Sequence, residues 1–112
     1  MVTTIDYMNS PLRIILDIIG NKWNVPILLN LNENPKLRFN ELQKKTGSVS
    51  QKMLTLSLKT LEENGLITRT IYSEIPPRVE YQLTEQGRKL VPLIGKLEEW
   101  AIENNKLNHK KE

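Results

Sequence analysis

With 112 residues and a formal net charge of +3, the chain has room for one domain with a modest hydrophobic core and none for a separate catalytic unit. It contains no cysteine, which excludes disulfides, thiolate metal sites, cysteine nucleophiles and thiol redox switches. The basic balance mildly favours a polyanionic partner, while residues 1–10 lack a basic start and an apolar run and residues 12–19 are broken by Arg13 and Asp17, so no signal peptide or membrane span is expected and the chain reads as cytoplasmic.

From Pro11 onward, Leu12, Ile15, Leu16 and Ile19 recur at helical spacing, with Pro11 tolerated in a first turn and Gly20 able to end the helix. After Trp23, Asn24 can cap a second helix that carries Pro26 in its first turn, presents Val25, Ile27, Leu28 and Leu31, and stops before Pro35. The short run Leu37-Arg38-Phe39 leads into Asn40, which with Gln43 three residues on makes a capping-box-like start for a third helix over 41–46. Gly47 breaks that pattern. Ser50 then caps a longer helix over 51–64, closed by Gly65 where a left-handed residue is usually required. Leu54, Ser57, Leu58 and Leu61 fall on one side of this helix and Lys52, Thr55, Leu56 and Lys59 on the other, giving it a core face and a solvent face. Residues 67–73 and 78–83 are strand-like runs separated by Glu74-Ile75-Pro76-Pro77, a hairpin with a stiff tip. Thr84 can cap a last helix running to about residue 107, and residues 108–112 form a charged tail expected to fray. The fold class is therefore mainly α with a small β-hairpin, and two helices joined by a Gly-containing turn and followed by a hairpin describe a single winged helix-turn-helix domain over 1–112.

A helix presented to the major groove reads base edges mainly with its first turns. Ser50, Gln51, Lys52, Thr55 and Lys59 suit that role: Gln pairs with adenine edges, Lys reaches guanine or phosphate, hydroxyls bond phosphate oxygens, and exposed Leu56 can touch a thymine methyl. Lys52 and Lys59 also fit the plain solvated side of an amphipathic helix. Arg78, just after Pro76-Pro77, can lie over the phosphate backbone or the adjacent minor groove, or it can pair across the hairpin with Glu74 or Glu80. Lys36 and Arg38 can add phosphate contacts, whereas Lys44 and Lys45 read equally as solvated charge.

Catalysis finds no support. His109, the only histidine, sits in the tail, which rules out a His-based triad or a His-ligated zinc site within one chain. Glu62, Glu63, Glu98 and Glu99 are adjacent pairs on helix surfaces, and the glycines are scattered singly, so no phosphate-cradling loop is present. No cofactor is expected. The last helix carries a different signal: Leu90, Leu93, Ile94, Leu97, Trp100 and Ala101 form a stripe that Val91 and Ile102 widen beyond half the wheel, interrupted by Pro92. One small core does not cover that much apolar surface, so a homodimer is expected through this helix, around Leu93, Leu97 and Trp100, helped by Leu12, Ile15 and Trp23.

Several of these segments, taken in order, are similar to those of one family. Ile19-Gly20-Asn21-Lys22-Trp23, Leu37-Arg38-Phe39-Asn40-Glu41-Leu42, Val49-Ser50-Gln51-Lys52-Met53-Leu54-Thr55, Leu61-Glu62-Glu63-Asn64-Gly65-Leu66-Ile67 and, above all, Glu74-Ile75-Pro76-Pro77-Arg78-Val79-Glu80-Tyr81-Gln82-Leu83-Thr84 resemble the signature segments of the HxlR-type regulators, relatives of the MarR winged helix proteins. Pro92 and Trp100 fit the C-terminal helix of that family. The resemblance implies a dimeric bacterial or archaeal transcriptional regulator that binds a double-stranded DNA operator, with the 50–64 helix in the major groove and the 67–83 hairpin as wing. It also implies mainly structural roles for Lys22, Trp23 and Phe39, with Lys22 within reach of a phosphate. Many members carry a sensing cysteine just before the proline that opens the first helix, and here that residue is Ser10. The inducing signal, including any small-molecule effector, is not identified by the sequence, and a domain serving only protein interaction or dimerisation is the alternative of a different class.

Overall fold

The computed structural model describes residues 3–104 and 106. Among them, six helices and three strands follow in the order α1 (Thr4–Met8), α2 (Pro11–Ile19), α3 (Asn24–Glu33), β1 (Leu37–Arg38), α4 (Phe39–Thr46), α5 (Gln51–Glu63), β2 (Ile67–Tyr72), β3 (Arg78–Leu83) and α6 (Glu85–Glu103). The strands form one antiparallel sheet in the order β1-β3-β2, and α3 touches α2, α4, α5, α6 and β3, which puts it at the centre of the packing.

The helix starts follow from local chemistry. The Ser50 hydroxyl accepts from the Met53 N–H at 3.0 Å and the Thr84 hydroxyl from the Gly87 N–H at 3.0 Å, each relieving one of the unpaired donors of a first turn. Gly65, at φ 74°, ends α5. The N–H of Gly65 donates to the Glu62 carbonyl and that of Leu66 to the Leu61 carbonyl, so orphan carbonyls at the helix end are satisfied by the turn itself. Two starts differ from the sequence expectation. Asn24 is the first residue of α3 and not its cap; its side chain is buried and donates to the Ile18 carbonyl at 2.9 Å, tying α2 to α3. The third helix begins at Phe39, not after Asn40, because the Glu41 carboxylate accepts the Arg38 N–H at 2.8 Å, while the Gln43 amide instead donates to the Val49 carbonyl across the turn to α5.

Other boundaries also shift. α1 was not foreseen; it is one short turn in which the Thr3 hydroxyl accepts the Asp6 N–H, and five residues carry too little periodicity to announce themselves. β1 extends the expected hairpin to three strands, with Leu37 opposite Tyr81 and Arg38 opposite Glu80. A two-residue strand leaves no alternation to read. β2 ends at Tyr72 and α5 at Glu63, each one residue earlier than expected. α6 ends at Glu103, where Asn104 turns to an extended conformation as its C-cap, earlier than the expected end near residue 107; residue 105 and residues 107–112, with the expected tail, lie outside the described residues.

The core is built from Ile27, Leu28, Leu42, Leu54, Leu61 and Ile67, all fully buried, joined by Leu31, Leu37, Leu58, Leu66, Tyr81 and Leu83. Each buried aliphatic side chain contributes about 1.5–3 kcal/mol. The core face foreseen on α5, namely Leu54, Ser57, Leu58 and Leu61, is buried as a set. In α2 only Ile18 is fully buried, a residue outside the expected stripe; Ile15 and Ile19 are half-buried, and Leu12 and Leu16 face outward. α6 divides similarly. Leu90, Val91 and Ile94 pack on the core, while Leu93, Leu97, Trp100 and Ile102 remain 53–60% exposed.

Two glycines of α6 give a direct check of this packing. A Cβ on buried Gly87 would collide with the Leu66 carbonyl oxygen and crowd Leu83, whereas a Cβ on Gly95 meets nothing within 4 Å. Gly87→Ala should therefore destabilise the fold by about 1–3 kcal/mol through overpacking, and Gly95→Ala should stabilise it by up to about 1 kcal/mol through helix propensity. Urea denaturation of the two variants checks both signs.

Candidate nucleic-acid interface

The turn between α4 and α5 fixes where the outward side of α5 points. Gly47 adopts φ 94°, a conformation that side-chain-bearing residues rarely take, and the Gln43–Val49 hydrogen bond closes the turn at 3.2 Å. With Leu54, Ser57, Leu58 and Leu61 held in the core, Gln51, Lys52, Thr55, Leu56 and Lys59 are all exposed on the opposite side. Ser50 is exposed at the N-terminal end, and its hydroxyl uses a lone pair for the Met53 N–H, leaving its hydrogen to donate outward. Thr55 donates its own hydroxyl hydrogen to the Gln51 carbonyl at 2.8 Å and so faces outward as an acceptor and a methyl group. Among the described residues neither Lys52 nor Lys59 forms an ion pair.

Lys36 lies exposed before β1, and Arg38 on β1 is also exposed and without an ion pair among the described residues. Strand alternation puts Leu37 in the core opposite Tyr81 and turns Arg38 to the outer face opposite Glu80. Arg78 starts β3 on that same outer face, paired in register with Tyr72 of β2. Of the two arrangements open to Arg78, pairing across the hairpin is present: Nη2 lies 3.3 Å from the Glu74 carboxylate, Nε lies 3.4 Å from that of Glu80, and the guanidinium stacks on Tyr72 with Cζ 4.0 Å from the ring centre. Arg38 and Arg78 line one shallow groove with Phe39, Asn40, Pro77 and Val79. The site residues thus fall into two groups, one along α5 and one where β1, β3 and the start of α4 meet.

Sequence reasoning passed over Arg69. It stands on β2 opposite Tyr81, half-exposed, with Nε 3.9 Å from the Glu62 carboxylate, and it lines a cavity of about 380 Å³ between α5 and the sheet together with Thr55, Lys59 and Tyr81. Its position follows from counting alternate residues from buried Ile67, a signal available only once the strand start is known. The Tyr81 hydroxyl has its pKa raised above the usual 10.0, chiefly because burial disfavours the phenolate, with Arg69 pulling it down and Glu62 pushing it up. Lys22 lies over the Trp23 ring, its Nζ 4.9 Å from the centre, and Trp23 and Phe39 pack half-buried against the core, in keeping with structural roles.

Nothing among the described residues gathers three or more His, Asp or Glu side chains in a metal-binding arrangement, and no described helix is long and apolar enough to cross a membrane. A helix-turn-helix with a cationic, outward-facing second helix and a following β-wing defines the class of winged helix transcriptional regulators. The HxlR-like helix-turn-helix family model matches residues 18–109, and the chain belongs to that family. It is 45% identical over 96 residues, covering 86% of this chain and 74% of the relative, to an uncharacterized HTH-type transcriptional regulator, YdeP, of Bacillus subtilis. Among solved structures, a MarR-family regulator from Enterococcus faecalis V583 superposes with a TM-score of 0.78 at 29% identity, covering 97% of each chain. Diamide-treated YodB from B. subtilis superposes with a TM-score of 0.74 at 32% identity, covering 84% of this chain and 93% of that one. These relatives and neighbours are transcriptional regulators and not enzymes.

The likeness to a diamide-treated regulator sharpens one expectation. Ser10 opens α2 as its N-cap, and the chain has no thiol anywhere. Diamide should therefore leave DNA affinity unchanged in a fluorescence-anisotropy titration, since a hydroxyl forms no disulfide. A large loss of binding reversed by dithiothreitol would overturn this.

Proposed function

We propose that this regulator binds palindromic double-stranded DNA operators as a homodimer, with α5 in the major groove and the β2–β3 wing on the backbone or minor groove. The observation that carries the reading is the outward side of α5. Gln51, Lys52, Thr55 and Lys59 stand exposed on a helix whose other side is locked into the core, and both lysines are free of ion pairs among the described residues. Ser50 sits at the end that enters a groove first. Lys36, Arg38 and Arg78 flank this helix as phosphate contacts. Base edges specify and phosphates position, so the two groups of residues carry different duties. A DNA partner and the lack of any spanning helix among the described residues are both in keeping with a cytoplasmic location.

The homodimer reading rests on apolar surface. Leu93, Leu97, Trp100 and Ile102 on α6 and Leu12, Ile14 and Leu16 on α2 are 40–60% exposed, and large apolar side chains left in water in such number on two helices suit a protein interface. Ile15, expected in the same interface, is half-buried against the core and contributes less to it. A two-fold axis between the α6 helices would place the α5 helices in successive major grooves on one face of a duplex, with half-sites about one helical turn apart or a multiple of it. Replacing Leu97 and Trp100 together with polar residues should give monomers and weaken operator binding. A double variant that stays dimeric by light scattering would place the interface elsewhere.

Selection of bound fragments from genomic DNA supplies the operator, and salt-sensitive binding to that palindrome separates a regulator from a domain used only for protein contact. On the selected operator, Lys52→Ala and Thr55→Ala should relax preference at particular bases, whereas Arg78→Ala should weaken all duplexes alike and lower the salt slope by about one unit. Equal losses on every sequence for all three variants would refute this division.

A further inference from the structure

The wing carries its own counter-charge. From residue 70 to residue 80 the charged side chains are Glu74, Arg78 and Glu80, so a single cation faces two carboxylates. Arg78 is held by both, and its guanidinium rests on Tyr72, which leaves the arginine side chain only 26% exposed. A phosphate approaching this hairpin meets no uncommitted cation, and an added carboxylate repels it. The two carboxylates are not equivalent. Glu80 lies within β3 between Arg38 of β1 and Thr70 of β2, and its side chain is 18% exposed. Glu74 belongs to the connection between the strands and is 48% exposed, so its ion pair is the more accessible to water and the easier to exchange.

Beside the clasp lies the groove lined by Arg38, Phe39, Asn40, Pro77, Arg78 and Val79, about 300 Å³ in volume. Arg38 enters it from β1 with no ion pair among the described residues, and Arg78 enters it from β3. Arginines from two different strands line this one groove, and two guanidiniums brought to it would form a fork suited to the oxygens of a single phosphodiester. We propose that this groove seats one DNA phosphate between Arg38 and Arg78, and that Glu74 is the counter-charge which that phosphate displaces. Glu80 and Tyr72 keep the guanidinium in position during the exchange. The free wing thereby presents no net positive charge, and the permanent charge of the arginine is released from Glu74 only against DNA. This rests on the operator-binding reading above.

The test is a set of anisotropy titrations over a range of salt concentrations, on the selected operator and on an unrelated duplex. Glu74→Gln, which keeps shape and removes charge, should tighten binding to both duplexes severalfold at low salt while leaving the slope of log K against log salt unchanged, because the same single phosphate is seated in both proteins. Glu80→Gln should give no such gain, because it releases the positioning partner and not the exchanged one. Glu33→Gln, at the end of α3, makes the same charge change away from the wing and should give no comparable gain in affinity. Since the slope counts phosphates and not cations, Arg38→Ala combined with Arg78→Ala should lower it by about 0.9, no more than the larger single loss. Thermal midpoints of all variants identify any loss of wing structure, and Glu74→Gln carries the test by itself if an arginine variant unfolds. Unchanged affinity for Glu74→Gln, or a loss of two phosphates in the double variant, would overturn the inference while leaving operator binding intact. Failure of the unaltered protein to bind any duplex would instead overturn the operator-binding reading and this inference with it.

Discussion

The junction around Thr84 is the constraint on which the remaining geometry depends. Its hydroxyl donates to the Gly65 carbonyl at 2.6 Å and accepts the Gly87 N–H, while its backbone N–H donates to the Leu66 carbonyl at 3.0 Å. Three elements meet in those bonds: the end of α5, the start of β2 and the first turn of α6. Gly87 lets α6 pass directly over the Leu66 carbonyl, an approach that a methyl group would forbid. The helix that faces outward with Lys52 and Lys59 is thereby set at a fixed angle to the helix that carries Leu97 and Trp100. Charge-bearing and apolar faces on different elements become one rigid arrangement through a hydroxyl and an absent side chain.

That junction was half legible in the sequence. Thr84 and Gly65 were readable as a cap and a stop, because each follows from the local needs of a helix end. That they bond to one another is not local and was not readable. The same division recurs elsewhere. The two faces of α5 were correctly separated because a 13-residue helix repeats its pattern more than three times, whereas α2, with nine residues of which six are large and apolar, gives no contrast between faces, and its buried residue, Ile18, was missed. The start of α4 was misplaced because Asn40 and Gln43 have the right residue types at the right spacing, yet the Glu41 carboxylate caps the helix two residues earlier, at Arg38. For the candidate site, the α5 residues follow from the wheel alone. The convergence of Arg38 and Arg78 depends on β1 pairing with β3, and no spacing rule links residues forty positions apart.

Charge on this molecule is arranged locally and not as one field. A net charge of +3 is small, yet Lys36, Arg38, Lys52 and Lys59 stand without ion pairs among the described residues, while Arg69 and Arg78 are matched by carboxylates within 4 Å. Exposed pairs of this kind add little to stability, about 0–1 kcal/mol each. Their effect is on where positive potential is left uncompensated: along α5 and before α4, and not over the wing. Association with a polyanion would then be steered toward these two places and away from the wing.

The brevity of β1 has a dynamic consequence. Joining residues 37–38 to residues 80–81 closes a loop of some forty residues for the reward of a two-residue ladder and one buried leucine, whereas β2 and β3 close through a short connection with a full ladder. Segments held by so few bonds open independently of the whole fold, at a cost below that of global unfolding. The Arg38–Arg78 groove exists only while β1 is docked, so its lifetime is set by this local equilibrium and not by the melting of the domain. Two proteins of equal overall stability that differ only in how well residue 37 fills its place beside Tyr81 would present that groove for different fractions of time.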